Sequence, residues 1–398
     1  MTLVKSKRLG DLINLKRGYD LPEYDRIPGP YPVISSAGIS GYHDQYKVDG
    51  KGVVIGRYGT LGEMYFVEGK YWPHNTALYV QDFKGNDPKY IYYLLSCLGR
   101  IRTSDKSAVP GVNRNELHEM FVPSVEDKSR QIAIRKVLEI FDAKIELNNR
   151  INAELEAMAK TLYDYLFVQF DFPFDFAEGK PYKASGGKMV YNPALKREIP
   201  EGWEASNVAK VANLLGGGTP TKAKSEYWNG DIPFFTPSDS DSKVCSLKTE
   251  DYITQEGLEN SSTKLFPRNS VFITARGSVG RLALNAVPMA MNQSCYALQA
   301  KEGISYTYLF FLTKELIHHL EVKASGSVFN SIVSNDIEYT NLAISVSGEV
   351  IETYAKIAEP LFEKIGINIK ENRQLEQLRD WLLPMLMNGQ VTVQSPKE

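Results

Sequence analysis

Two stretches place an arginine and a hydroxyl residue on a glycine-punctuated turn that leaves a strand. Val54-Ile55-Gly56-Arg57-Tyr58-Gly59-Thr60-Leu61-Gly62 presents Arg57, Tyr58 and Thr60. Phe272-Ile273-Thr274-Ala275-Arg276-Gly277-Ser278-Val279-Gly280 presents Arg276 and Ser278. A guanidinium fork binds paired acceptors, and a hydroxyl or turn amide holds an anionic oxygen. These are binding chemistries, and a structural hairpin with a solvated arginine is the competing reading. Bond-breaking chemistry has no comparable constellation. There is no GxxxxGK(S/T) loop for ATP, and Gly56 to Gly62 lacks the lysine. No Asp/Asn-Pro-Pro-aromatic motif of amino-methyltransferases is found; Asn192-Pro193-Ala194-Leu195 is a poor imitation. His43, His74, His118, His318 and His319 lack metal-ligand spacing. Asp239 and Asp241 beside Lys243 lie in a serine-rich stretch and read as solvated.

A chain of 398 residues exceeds one ordinary core and suggests two or three domains. A hydrophobic fraction of 43% with 24% charged residues is that of a soluble globular protein. Nothing near the amino terminus reads as a signal peptide, and no apolar run approaches the roughly 18 residues of a membrane span. Cys97, Cys245 and Cys295 are far apart and read as buried thiols in a reducing cytoplasm. A net charge of −2 argues against a lone non-specific nucleic-acid binder. It permits a reader whose hold on phosphates is shared with partner subunits.

The chain is two copies of one plan. Arg8-Leu9-Gly10-Asp11-Leu12-Ile13-Asn14-Leu15 resembles Asn207-Val208-Ala209-Lys210-Val211-Ala212-Asn213-Leu214, and the two glycine turns resemble each other. Asn75-Thr76-Ala77 matches Asn292-Gln293-Ser294, and Asn115-Glu116-Leu117 matches Asn335-Asp336-Ile337. The strongest copy is helical. One apolar ladder runs Ile134, Leu138, Phe141, Ile145, Asn148, Asn152, Leu155, Met158, Leu162, Tyr165. The other runs Tyr354, Ala358, Leu361, Ile365, Asn368, Asn372, Leu375, Leu378, Leu382, Met385, at a constant offset of 220. Such ladders are coiled-coil seams, and the two consecutive three-residue steps at Met158 and Leu378 read as a phase break. Asparagines at equal rungs favour two helices packed on each other, antiparallel about a pseudo-twofold axis, over two helices packed on their own domains. Pro360 should kink or interrupt the second helix.

Gln169 to Glu204, rich in aromatics, glycine and proline, reads as an ordered strap lying on the helices. The globular halves read as mixed, with short glycine-punctuated strands and a helix near Pro88 to Leu98 matched by one near Tyr306 to His318.

In this order of parts the chain resembles the specificity subunit of type I restriction–modification systems. The strap carries the resemblance most specifically: Phe170-Asp171-Phe172-Pro173, Gly179-Lys180-Pro181-Tyr182-Lys183, Ser185-Gly186-Gly187-Lys188-Met189-Val190 and Lys196-Arg197-Glu198-Ile199-Pro200-Glu201-Gly202-Trp203. The resemblance spans essentially the whole chain. It implies an α+β fold with two mixed α/β target recognition domains, separated by two long helices that pack as an antiparallel coiled coil. The expected boundaries are 1–125 and 205–345 for the recognition domains, 126–168 and 346–390 for the helices, 169–204 for the strap and 391–398 for a tail. It implies a non-catalytic cytoplasmic reader of an asymmetric bipartite site on double-stranded DNA. The helices space the domains and dock two methyltransferase subunits, with restriction/translocase subunits added outside. S-adenosylmethionine, ATP and Mg are then expected in the partners and no cofactor in this chain. A self-contained methyltransferase or nuclease, and a duplicated protein-interaction scaffold without a DNA role, are the other readings.

Recognition domains vary within the family, so base contacts are proposed from residue chemistry. Arg57, Tyr58, Thr60, Arg276 and Ser278 come first, since arginine reads guanine bidentately. Asn75 and Asn292 suit adenine or cap a turn, with His74 and Gln293 beside them. Arg102, Lys106, Asn113 and Arg114 in the first half, and Lys323 and Asn330 in the second, suit a loop on the phosphate backbone. Lys222 is a weaker phosphate candidate, as are Lys224, Lys16 and Arg17. The expected helix–helix seam is Leu138, Phe141, Ile145, Asn148, Asn152 and Leu155 against Leu361, Ile365, Asn368, Asn372, Leu375 and Leu378.

Overall fold

The computed structural model describes residues 4–58, 62–98, 112–173, 179–240, 244–324, 331–345 and 348–393. Thr60, Arg102, Lys106 and Asn330 lie outside the described residues. The chain forms two compact units, Met1–Ile145 with Gln374–Glu398, and Glu146–Arg373. Each takes its core from one globular half and from parts of both long helices.

The first unit opens with β1 (Lys5–Arg8), the single turn α1 (Leu9–Leu12) and β2 (Asn14–Arg17). Then come β3 (Tyr31–Ser35), β4 (Gly38–His43), β5 (Val48–Asp49), β6 (Gly52–Gly56), β7 (Met64–Val67), β8 (Lys70–Pro73) and β9 (Ala77–Asp82). Helices α2 (Pro88–Ser96) and α3 (Arg114–Glu119) and strand β10 (Phe121–Ser124) lead into the long α4 (Lys128–Tyr163). Two four-stranded sheets result, in the orders β2-β9-β6-β7 and β4-β3-β8-β5, while β1 pairs antiparallel with β10. The apolar run Val53-Val54-Ile55 is buried on both faces, as an internal strand of such a sheet requires. Helix α2 starts where Asp87 accepts the amides of Lys89 and Tyr90 and Pro88 occupies the first helical position.

The second unit repeats this with added pieces. A hairpin of β11 (Met189–Asn192) and β12 (Arg197–Pro200) precedes β13 (Trp203–Ser206), β14 (Ala212–Gly216) and β15 (Trp228–Phe235). Next are β16 (Cys245–Ser246), β17 (Asp251–Ile253), α5 (Gln255–Glu259), β18 (Val271–Thr274), β19 (Leu282–Asn285), β20 (Ala290–Met291) and β21 (Cys295–Ala300). Helices α6 (Tyr306–Lys323) and α7 (Ser334–Tyr339) and strand β22 (Leu342–Ser345) lead into the long α8 (Gly348–Met387). The main sheet, β14-β21-β18-β19-β16, repeats the first unit's strand order and adds one strand. A parallel pair, β15 with β20, repeats that of β3 with β8. Aromatics from the connecting segment join this core: Phe172 stacks on Tyr182 and Trp203 at 4.6 and 5.5 Å.

Each long helix serves both units. In the first unit Ile134 and Leu138 of α4 share a core with Leu383, Leu386 and Met387 of α8. In the second, Ala358, Phe362 and Ile365 of α8 share a core with Tyr163, Leu166 and Phe167 from the end of α4 and the turn after it. The helices also meet each other. Asn148 donates through Nδ2 to Asn372 Oδ1 at 2.8 Å, and Asn368 donates to Asn152 Oδ1 at 2.8 Å. The offset of 220 carries Asn148 to 368 and Asn152 to 372, so it exchanges the two bonds, donor for donor. Asn148 also donates to Glu371 and Asn372 to Asn149. The pairing is antiparallel, and Arg379 with Asp142 at 2.8 Å keeps the same register in the first unit.

Three expectations are corrected. Helix α8 is unbroken at Pro360, which stands on an exposed face. Leu378 is not a seam residue: it is 51% exposed, and Met158 is 58% exposed. The inward ladder steps by four there, from half-buried Leu155 to buried Ala159 and from half-buried Leu375 to half-buried Arg379. The supposed phase break mixed this seam with a second apolar stripe, which includes Leu147, Met158, Ile367 and Leu378. Finally, Cys245 and Cys295 are buried but Cys97 is only half-buried.

Candidate nucleic-acid interface

The glycine turn and the loop before the next sheet strand form one ledge in each unit. In the first, the amides of Arg57 and Tyr58 both donate to the Thr76 carbonyl, at 3.0 and 3.2 Å. In the second, Ala275 and Arg276 both donate to the Ser294 carbonyl, at 2.8 and 3.2 Å. Val112 N donates to Arg57 O in one copy and Ile332 N to Ala275 O in the other, at 3.1 and 2.9 Å. The turns close alike, Gly62 N on Gly56 O and Gly280 N on Thr274 O, with φ of 76° and 82° at the two glycines. Only a residue without Cβ takes that conformation freely.

These bonds fix which residues correspond, and they correct the alignment of the asparagines. His74 N donates to Ile34 O and Asn292 N to Phe235 O, so Asn292 matches His74. Asn75 therefore matches Gln293. A β-carbon on Gly18 would lie 2.1 Å from the His74 carbonyl oxygen, and one on Gly217 would lie 2.1 Å from that of Asn292. The backbone approach is the same in both copies and admits glycine alone.

Side chains sort into two kinds on this ledge. His74 Nδ1 meets Thr76 Oγ1 at 3.0 Å, and Asn292 Oδ1 accepts the Ser294 amide at 3.0 Å. Both shape the turn. Burial, and after it the nearby Arg26, hold His74 below the usual histidine pKa. One residue on, Asn75 donates to Asp20 and Gln293 accepts from Thr219. Asp20 and Thr219 hold equivalent places, since Tyr19 N bonds Pro73 O and Gly218 N bonds Met291 O. Arg57 folds over the Tyr58 ring at 4.5 Å. Among the described residues neither Arg57 nor Arg276 has a carboxylate partner. Ser278 gives its carbonyl to the Thr274 hydroxyl, which ties the second turn to its strand.

The remaining candidates lie elsewhere. Asn113 caps α3, accepting the Asn115 amide at 3.0 Å and donating to Glu116, and Arg114 is exposed beside it. Lys323 is exposed in the last turn of α6. Lys222 lies 5.9 Å over Trp228, and Lys224 bonds the Tyr227 hydroxyl.

A cationic-aromatic group lies near the first ledge; Lys16 was a sequence candidate, while Tyr19, Lys47 and Trp72 were missed. Lys47 lies over Trp72 at 4.5 Å and over Tyr19 at 5.7 Å, and Lys16 bonds the Tyr19 hydroxyl. The Tyr79 hydroxyl's bond to Tyr19 lowers the Tyr19 pKa; burial opposes it, and Lys16 adds a smaller lowering. Arg26 donates to Ser40 O at 2.6 Å from the neighbouring hairpin. Gly18-Tyr19-Asp20 against Gly217-Gly218-Thr219 was the sequence signal for Asp20 and Thr219; Arg26 and Lys47 carried none. Among the described residues no group of three or more His, Cys, Asp or Glu is placed to hold a metal ion.

The chain matches the family described as the type I restriction modification DNA specificity domain, over residues 1–157 and again over 200–377. It belongs to that family. The two matched regions follow the duplication, and each carries one ledge. The HindI specificity subunit of Haemophilus influenzae is 26% identical over 318 residues, which is 67% of this chain and 68% of that one. The MjaIX specificity subunit of Methanocaldococcus jannaschii is 27% identical over 332 residues, 79% of this chain and 73% of that one. The fold is similar to the crystal structure of a type I restriction–modification S subunit from M. genitalium, with a TM-score of 0.55 at 17% identity, covering 96% of each chain. This specificity subunit is an α+β protein with a two-domain repeat. Among its described residues no helix is long and apolar enough to cross a membrane.

Proposed function

We propose that each unit of this specificity subunit reads one half of an asymmetric, bipartite DNA site, and that the chemistry belongs to partner subunits. The observation that carries the reading is the pair of ledges, whose backbone bonds repeat while their side chains differ. Arg57, Tyr58 and the Asn75–Asp20 pair stand where the second unit has buried Ala275, exposed Arg276 and the Gln293–Thr219 pair. A shared scaffold with unlike donors and acceptors reads two different base sequences. Arg57 and Arg276, free of carboxylates among the described residues, are the assigned base readers. Lys16, Lys47 and Lys222 are assigned to phosphates. Helices α4 and α8 space the halves and dock two methyltransferase subunits, to which restriction/translocase subunits add. S-adenosylmethionine, ATP and Mg are bound by those partners.

The test is methylation mapping with the reconstituted complex. R57A should relax specificity in one half of the site and R276A in the other, each by about 1–3 kcal/mol for a bidentate contact. A single uninterrupted palindromic site, or methyl transfer by this chain alone, would overturn the reading.

A further inference from the structure

The duplication makes the ends of the two long helices interchangeable in principle, and the side chains around them are not. The offset of 220 places Ala159 of α4 where α8 has Arg379, and Tyr163 where α8 has Leu383. The seats that receive these ends also correspond. Helices α2 and α6 begin at the matched caps Asp87 and Ser305, so Tyr93 matches Phe311 and Cys97 matches Glu315. Across the seats, Asp142 of α4 matches Phe362 of α8.

In the first unit the seat is polar. Asp142 accepts from the Tyr93 hydroxyl and holds Arg379 Nη1 at 2.8 Å. In the second unit the same three places are apolar. Phe311 and Phe362 lie 5.9 Å apart between ring centres, and fully buried Ala159 belongs to the same core. One turn on, the second unit turns polar where the first does not: the Tyr163 hydroxyl donates to Glu315 Oε2 at 3.1 Å, whereas Leu383 and Cys97 occupy the first unit's places.

We infer that the two recognition units carry non-interchangeable seats for the long-helix ends. The first accepts an end bearing arginine, and the second accepts an end bearing alanine and tyrosine. An α4 end in the first seat would leave Asp142 without its arginine. An α8 end in the second would press Arg379 on two phenylalanines and leave Glu315 without a hydroxyl donor. A guanidinium desolvated against phenylalanines without a partner is strongly unfavourable, and partly buried Asp142 loses its charged partner at a smaller cost, so each seat disfavours the other end. The partner that fits each seat is therefore the helix of the unlike half.

The experiment transplants one seat's chemistry into the other within the full chain and follows urea unfolding. A159R should lower the unfolding midpoint sharply. Adding F362D and F311Y, which rebuild the polar seat in the second unit, should recover more than half of that loss. In the first unit, D142F and R379A should each lower the midpoint, and the triple variant D142F/R379A/Y93F, which copies the apolar seat, should stand above either single variant. Losses that simply add, in both units, would overturn the inference. Rescue in either unit supports it, and the first-unit series decides if A159R does not fold.

Discussion

At the scale of single residues, one largely buried carboxylate couples stability to pH. Glu315 lies deep in α6, where burial raises its pKa; the Tyr163 hydroxyl and Arg197 lower it, with less effect. The folded state thus binds this proton more tightly than the unfolded chain does. The stability that Glu315 contributes is fully present below the ordinary carboxylate pKa and is lost as pH rises through the raised folded value. Wild type should therefore lose stability relative to E315Q over that rise, with the difference levelling off above it. Urea midpoints measured at several pH values for both proteins give the result; a difference that is flat with pH contradicts it. Sequence gave little warning of such residues. Glu315 sits in an apolar helix with nothing nearby in the chain to mark its partner. Asn75 and Gln293 were visible as candidates, but their partners Asp20 and Thr219 lie more than fifty residues away in each half. The one-residue misalignment of Asn292 has the same origin: an Asn–Asn match outweighed the His–Asn correspondence that backbone bonds dictate.

At the scale of elements, periodicity located both long helices, the antiparallel pairing and the asparagine rungs. It misplaced Met158 and Leu378 because apolar type does not say which of two neighbouring stripes a residue joins. It also overrated Pro360. A proline inside a helix removes one amide donor and crowds the carbonyl four residues back. Helix α8 continues through it because the buried residues on either side, Ala358, Phe362 and Ile365, anchor both flanking turns in the second unit's core. The local penalty is tolerated by that packing and does not vanish. P360A should raise the urea midpoint, by at most about 3 kcal/mol in stability, without shifting the fold. Far-ultraviolet circular dichroism should show equal or greater helix content. A lower midpoint would mean that Pro360 stabilises α8 by restricting the unfolded chain, which is the opposite account.

At the scale of the whole molecule, the units do not coincide with stretches of sequence, and that governs what can be exchanged. The first unit includes Asp142 from α4 and Arg379 from α8 besides its globular half. Replacing residues 1–125 with the corresponding segment of a relative therefore replaces Tyr93 but leaves Asp142 and Arg379 in place. If the donor segment carries a tyrosine at that position, the chimaera should fold as well as the parent and change one half of the methylated site. If it carries phenylalanine, Asp142 keeps only its arginine. A hydrogen bond to a charged group contributes about 1.5–3 kcal/mol, and the lower end applies here because the Asp142 side chain retains 26% of its exposure. That chimaera should unfold at lower urea, and restoring tyrosine at the one position should recover the difference while leaving the new half-site unchanged. Two measurements separate the claims. The methylation map reports which bases the exchanged unit reads, and the urea midpoint reports whether its seat still fits the α8 end. A chimaera with phenylalanine that matches the parent in stability would show that the seat tolerates the loss of the hydroxyl. A map altered in both halves would show that the two units do not read independently.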